Sequence, residues 1–92
     1  MDVSFTPQAW QEFGVLLQSD VTLARKANEL IKSIRQDPFK GLGKPEPLKQ
    51  NLNGFWSRRI SDEHRLVYSV EGKKGVDQKV TIIQCMHHYN DK

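Results

Sequence analysis

Ninety-two residues with a 37% apolar share make one small domain, residues 1–92, with little apolar material to spare. The net charge of +3 favours anionic partners, whether nucleic acid, an acidic protein or an anionic membrane surface. A lone cysteine, Cys85, excludes an intramolecular disulfide framework, and no apolar run approaches the ~20 residues that span a bilayer, so the expectation is a cytoplasmic chain with no membrane segment.

At the N-terminus, MDVSFTPQAW lacks the basic-then-apolar pattern of a signal peptide. Val3 and Phe5 alternate with polar neighbours, which predicts a short strand. Thr6-Pro7 reads as an N-cap followed by proline at the first helical position, where its missing N–H costs nothing. Trp10, Phe13 and Leu17 then recur at helical spacing, predicting a helix to about Gln18. Ser19 or Asp20 caps a second helix with the stripe Leu23, Ala24, Ala27, Leu30, Ile31 and Ile34, stopped by Asp37-Pro38. Pro38 to Asn53 reads as loop, punctuated by Gly41, Gly43, Pro45 and Pro47. Phe55–Ile60 and Arg65–Val70 read as strands joined by a tight turn at Ser61–His64. A solvated loop, EGKKGVDQK, leads to a last strand over Val80–His88, with Val80, Ile82, Gln84, Met86 and His88 on one face. Trp10, Phe13, Phe55 and Trp56 are the bulky core candidates. The fold class is α+β: β-α-α followed by a β meander, a mainly antiparallel twisted sheet packed against a helical hairpin.

The chemistry concentrates in GKPEPLKQNLNGFWSRRISDEHRLVY, residues 43–68, where Lys44, Lys49, Arg58, Arg59 and Arg65 crowd around the acid Glu46. Prolines on both sides of Glu46 restrict its backbone. Cleaving RNA without a metal takes a base for the 2′-hydroxyl, a cation for the phosphorus-bound oxygens and an acid for the 5′ leaving oxygen. Glu46, Arg65 and His88 are the right residue types, and antiparallel neighbours place the start of Arg65's strand beside the end of the strand carrying His88. Each has a plainer alternative: Glu46 as a solvated ion pair, Arg65 paired with Asp62 or Glu63 across the turn, His88 as a surface residue. His64, His87, His88 and Cys85 invite a zinc reading, but adjacent histidines on a strand point to opposite faces and no metal-ligand spacing is present. Cys85 reads as a small buried hydrophobe. Residue types alone support a basic α+β domain with RNA binding as one option.

The run GKPEPLKQNLNGFWSRRISDEHRLVY, the hairpin segment ELIKSIRQDPFKGLGKPEPL and the closing CMHHY resemble the Txe/YoeB branch of the RelE/ParE superfamily of bacterial toxins, from about Val3 to Tyr89. The resemblance implies a microbial-ribonuclease-like fold and a ribosome-dependent mRNA endonuclease that inhibits translation, leaving a 2′,3′-cyclic phosphate and a 5′-hydroxyl, with no cofactor or metal. By position it implies Glu46 as general base, Arg65 as transition-state cation, His88 as general acid and Tyr89 as a substrate-positioning ring, with Lys49 and Arg59 on RNA phosphates; Lys44 and Arg58, from the same cation-rich stretch, are further candidates for phosphate binding. The implied partners are a cognate YefM/Axe-like antitoxin, acidic and partly disordered when free, the 70S ribosome with its mRNA and rRNA, and a second copy in a homodimer; operator DNA is reached only through the antitoxin. Two alternatives are carried: a non-enzymatic gyrase inhibitor as in the ParE branch, and a decayed toxin acting as an antitoxin-bound co-repressor. The chain departs from the family's Cys-Arg-Tyr-His-Tyr at Cys85-Met86-His87-His88-Tyr89, which removes one phosphate cation; its 71–79 loop is longer, and Asn90–Lys92 extend past the His-Tyr pair.

Overall fold

The computed structural model describes residues 1–49 and 54–87. Strand β1 (Asp2–Phe5) leads into helix α1 (Pro7–Ser19), and Thr6 caps that helix as its sequence predicts: its Oγ1 accepts the Ala9 N–H at 3.1 Å. Asp20 serves two helices at once. Its N–H donates to Leu16 O at 2.8 Å to close α1, and its carboxylate accepts the Leu23 N–H at 3.3 Å to open α2 (Val21–Gln36). The predicted stripe on α2 is the buried one, with Ala24, Ala27, Leu30 and Ile34 fully enclosed.

The remaining strands are β2 (Glu46–Pro47), β3 (Phe55–Arg59), β4 (Arg65–Glu71) and β5 (Lys79–Gln84), in the spatial order β1-β5-β4-β3-β2. β1 lies parallel to β5, and the other three pairings are antiparallel, which is the α+β architecture expected. One face of the sheet joins the helices in a single core: Leu66, Tyr68, Val80 and Ile82 gather with Ala9, Leu16, Leu30 and Ile34. The other face, by strand alternation, carries Glu46, Ser57, Arg59, Arg65 and Val67.

Three expectations change. Trp10 is 63% exposed and Leu17 51% exposed, while Ala9 and Leu16 are the buried residues of α1. The helix is rotated by about one residue, because the α1 backbone lies close to Cys85, whose Sγ donates to Ala9 O at 3.4 Å, and only a small side chain fits there. Trp10 and Phe13 instead flank the core beside Phe5, with ring centroids 5.4 and 6.0 Å from it. Second, the loop over 38–53 contains the two-residue β2, paired with Trp56 and Ser57. Third, β5 ends at Gln84 rather than His88, and its register slips by one residue at Val67/Tyr68: Tyr68 faces Ile82, but Val67 faces Gln84. This bulge at Ile83 breaks the expected alternation, turning Gln84 to the open face and returning Cys85 to the core.

Candidate functional site

The open face of the sheet assembles the predicted acid and guanidinium. Glu46 lies opposite Ser57 on β3, Arg59 is two residues further along the same face, and Arg59 pairs directly with Arg65 across β3 and β4. Arg65 Nη1 is 3.7 Å from Glu46 Oε1, with the arginine side chain 25% and the glutamate 62% exposed. That separation exceeds hydrogen-bond range, so the contact is a loose ion pair whose members are free to engage a third group. Arg59 reaches Asp62 at 3.4 Å, an aspartate exposed almost entirely to solvent. Two guanidiniums directly opposite each other repel; here a single carboxylate sits beside one and a solvent-exposed carboxylate beside the other. The arrangement favours an incoming anion between them. Lys44 and Lys49 are exposed on the same loop, Lys44 with φ +53°.

Arg58 is the correction. Expected among the phosphate-binding cations, it is fully buried and uses all five N–H donors inside the protein. Nε donates to Tyr68 Oη at 3.0 Å, Nη1 to Ser33 Oγ at 2.8 Å and Leu42 O at 3.0 Å, and Nη2 to Asp37 O at 2.8 Å and Lys40 O at 3.0 Å. Tyr68 Oη donates in turn to Pro38 O at 2.7 Å. Burial pushes the Tyr68 phenol above its ordinary value, and the Arg58 hydrogen bond and charge pull it partly back. A signal for this was present: Trp56, Arg58 and Ile60 share one strand face, so an arginine flanked by two large apolar residues points inward.

At the end of β4 where Arg65 begins, four hydrogen bonds tether the chain after β5. The Arg65 N–H donates to His87 O at 3.0 Å, and the His87 N–H donates to His64 Nδ1 at 2.8 Å. Gln84 Nε2 donates to Met86 O at 2.8 Å and His87 O at 3.1 Å. Sequence reasoning assigned Gln84 no role, since a glutamine in a strand carries no signal of the bulge that turns it outward. Arg65 is thus paired with Glu46 and not with Asp62 or Glu63. Arg65 and His87 share one end of the sheet. His88 and Tyr89, the expected acid and ring, lie outside the described residues.

Cys85 is enclosed, and burial, with the Glu12 charge second, pushes its thiol from 9.0 up to about 12. An unfolded chain ionises that thiol near 9, whereas the folded one keeps its proton up to about 12. Stability is therefore complete below pH 9 and falls as pH rises toward 12. Urea midpoints at about pH 8 and about pH 11 are expected to differ less for Cys85→Ala than for the wild type; an equal difference would exclude Cys85 as a source of the alkaline loss.

A helical hairpin on one face of a five-stranded mixed sheet, with an acid and two guanidiniums on the other, is the α+β fold of RelE-like toxins. The YoeB/ParE toxin from Agrobacterium tumefaciens is similar with a TM-score of 0.88 at 43% identity, covering 97% of this chain and 100% of that one. The chain belongs to the YoeB-like toxins of bacterial type II toxin–antitoxin systems, whose family profile matches residues 5–89. The curated toxin YoeB of Synechocystis sp. (strain PCC 6803) is 48% identical over 89 residues, covering 97% of this chain and 98% of the relative. Two Staphylococcus aureus structures each cover 97% of this chain and 98% of their own. One is a YoeB dimer, with a TM-score of 0.84 at 43% identity. The other is a heterotetrameric YoeB–YefM toxin–antitoxin complex, with a TM-score of 0.81 at 42% identity.

Proposed function

We propose that this toxin is a ribosome-dependent mRNA endonuclease, working by acid–base chemistry at the open face of its sheet. The observation that carries the reading is the placement of Glu46 3.7 Å from Arg65, with Arg59 directly opposite that arginine. A phosphate entering between the two guanidiniums draws Arg65 toward its non-bridging oxygens, leaving the exposed Glu46 carboxylate to accept the 2′-hydroxyl proton. The freed 2′ oxygen attacks phosphorus, and His88 protonates the departing 5′ oxygen, giving a 2′,3′-cyclic phosphate and a 5′-hydroxyl. Tyr89 orients the substrate, and Lys44, Lys49 and Arg59 hold flanking phosphates and rRNA.

The proteins this chain resembles occur with YefM and as dimers, and we extend both partners to it: an antitoxin of the YefM class and a second copy. An acidic antitoxin segment laid over the same cations would exclude the RNA. The test is to map mRNA 5′ ends after incubating purified protein with programmed ribosomes. New 5′-hydroxyl ends within the decoding site are expected only when ribosome and toxin are both present. A folded protein that leaves the message intact, with or without ribosomes, would refute the reading.

A further inference from the structure

The buried Arg58 has no carboxylate against it among the described residues, yet it is the largest fully buried side chain. Burying a charge is costly unless its hydrogen bonds are made, and here most of them are made to one segment. Of the five acceptors, three are main-chain carbonyls of the connection after α2: Asp37, Lys40 and Leu42. The other two acceptors belong to the same assembly. Tyr68 Oη donates to Pro38 O, and Ser33 Oγ also accepts the Leu42 N–H at 3.1 Å. The next carbonyl, Gly43 O, accepts the Arg59 N–H at 2.7 Å. Five carbonyls of this connection, those of Asp37, Pro38, Lys40, Leu42 and Gly43, are therefore satisfied from β3 and β4.

The clamped segment leads straight to the acid. Gly43 takes φ +83°, a conformation that favours glycine, and a Cβ there would come within 2.7 Å of Leu30 Cδ2 and 3.1 Å of Arg58 Cβ, so the chain is pressed against the Arg58 stem at that point. Three residues later Glu46 pairs with Ser57, the residue before Arg58. Ser57, Arg58 and Arg59 thus divide one task. Ser57 pairs with the Glu46 backbone, the Arg59 amide holds Gly43, and Arg58 anchors everything before it from inside.

We propose that Arg58, with Tyr68 and Ser33, is a positioning residue for Glu46, setting where the carboxylate stands against Arg65. Arg58 acts through the 37–43 backbone and touches no RNA. This role rests on the nuclease reading. A displacement of the acid by about 1 Å is enough to cost an order of magnitude or more in rate.

The test uses Tyr68→Phe and Ser33→Ala, which each remove one hydroxyl from the clamp, and Arg58→Lys as the stronger change; the first two keep the test decisive if Arg58→Lys does not fold. Two readouts are taken on full-length protein: amide hydrogen exchange at Arg59, compared with Leu30 in the core, and kcat and KM for mRNA cleavage on programmed ribosomes. The expected result is Arg59 exchange accelerated several-fold more than Leu30 exchange, kcat lowered about tenfold and KM within about twofold of wild type. Equal acceleration at Arg59 and Leu30 with activity tracking the folded fraction would reduce the network to general stability and overturn the proposal. So would an Arg59 amide set loose with kcat unchanged. Absence of cleavage by the wild type would remove the nuclease reading and this role with it, whereas normal wild-type cleavage beside unaffected variants would remove this role alone.

Discussion

Glu46→Gln is expected to lower mRNA cleavage on programmed ribosomes by about 10²–10⁴-fold, the range for loss of one general base. The amide keeps the shape and polarity of the carboxylate but cannot take a proton. Folding should be almost untouched. Glu46 is largely exposed, its contact with Arg65 is a loose 3.7 Å pair, and surface changes of this kind usually stay within ~0.5 kcal/mol. The effect should appear in kcat with KM nearly constant, because phosphate binding falls to the cations. Single-turnover cleavage at saturating toxin, alongside a thermal melt, checks both halves. A rate within about threefold of wild type in a folded variant would take Glu46 out of the proton-transfer step.

The second large effect separates two adjacent arginines. Arg58→Met is expected to destabilise the protein by about 3–5 kcal/mol, whereas Arg59→Met should cost less than ~1 kcal/mol. The methionine fills much of the same volume, but the carbonyls of Asp37, Lys40 and Leu42 and the hydroxyls of Ser33 and Tyr68 lose their shared partner. Each unsatisfied buried group costs about 1–3 kcal/mol, less where water reaches it. Arg59 gives up one contact with a solvent-exposed aspartate. For a domain of this size each kcal/mol moves the melting temperature by roughly 4–8 °C, so a difference of more than about 8 °C between the two variants is expected in thermal unfolding. Similar melting temperatures would contradict the buried role. Cleavage assays should show the opposite emphasis for Arg59→Met: a folded protein with weakened phosphate binding.

Much of the fold lies in plain view in the chain. The Leu23–Ile34 stripe, the Thr6-Pro7 start, the Asp37-Pro38 stop and the Ser61–His64 turn each announce themselves, since capping, proline geometry and period-3.6 burial are local physics. Leu66 and Tyr68 fall on the core face as alternation predicts. The residue types Glu46 and Arg65 suggest an acid–cation pair, and KPEPL and EHRLVY carry part of the family resemblance.

Other features depend on contacts between distant segments. Helical spacing marks a stripe on α1 but not which of two adjacent stripes faces inward; close approach to Cys85 selected Ala9 and Leu16 over Trp10 and Leu17. Nothing local foretells the bulge at Ile83, which appears only when β5 is laid against β4. Arg58 and Arg59 are chemically identical neighbours, and one becomes a buried clamp while the other faces solvent, because the carbonyls that make burial possible arrive from 16 to 21 residues away. Local pattern chose the elements and the candidate acid; the long-range pairing of β2, β3 and β4 put Glu46 and Arg65 within 3.7 Å, since side chains so far apart along the chain meet only when strands bring them to one face.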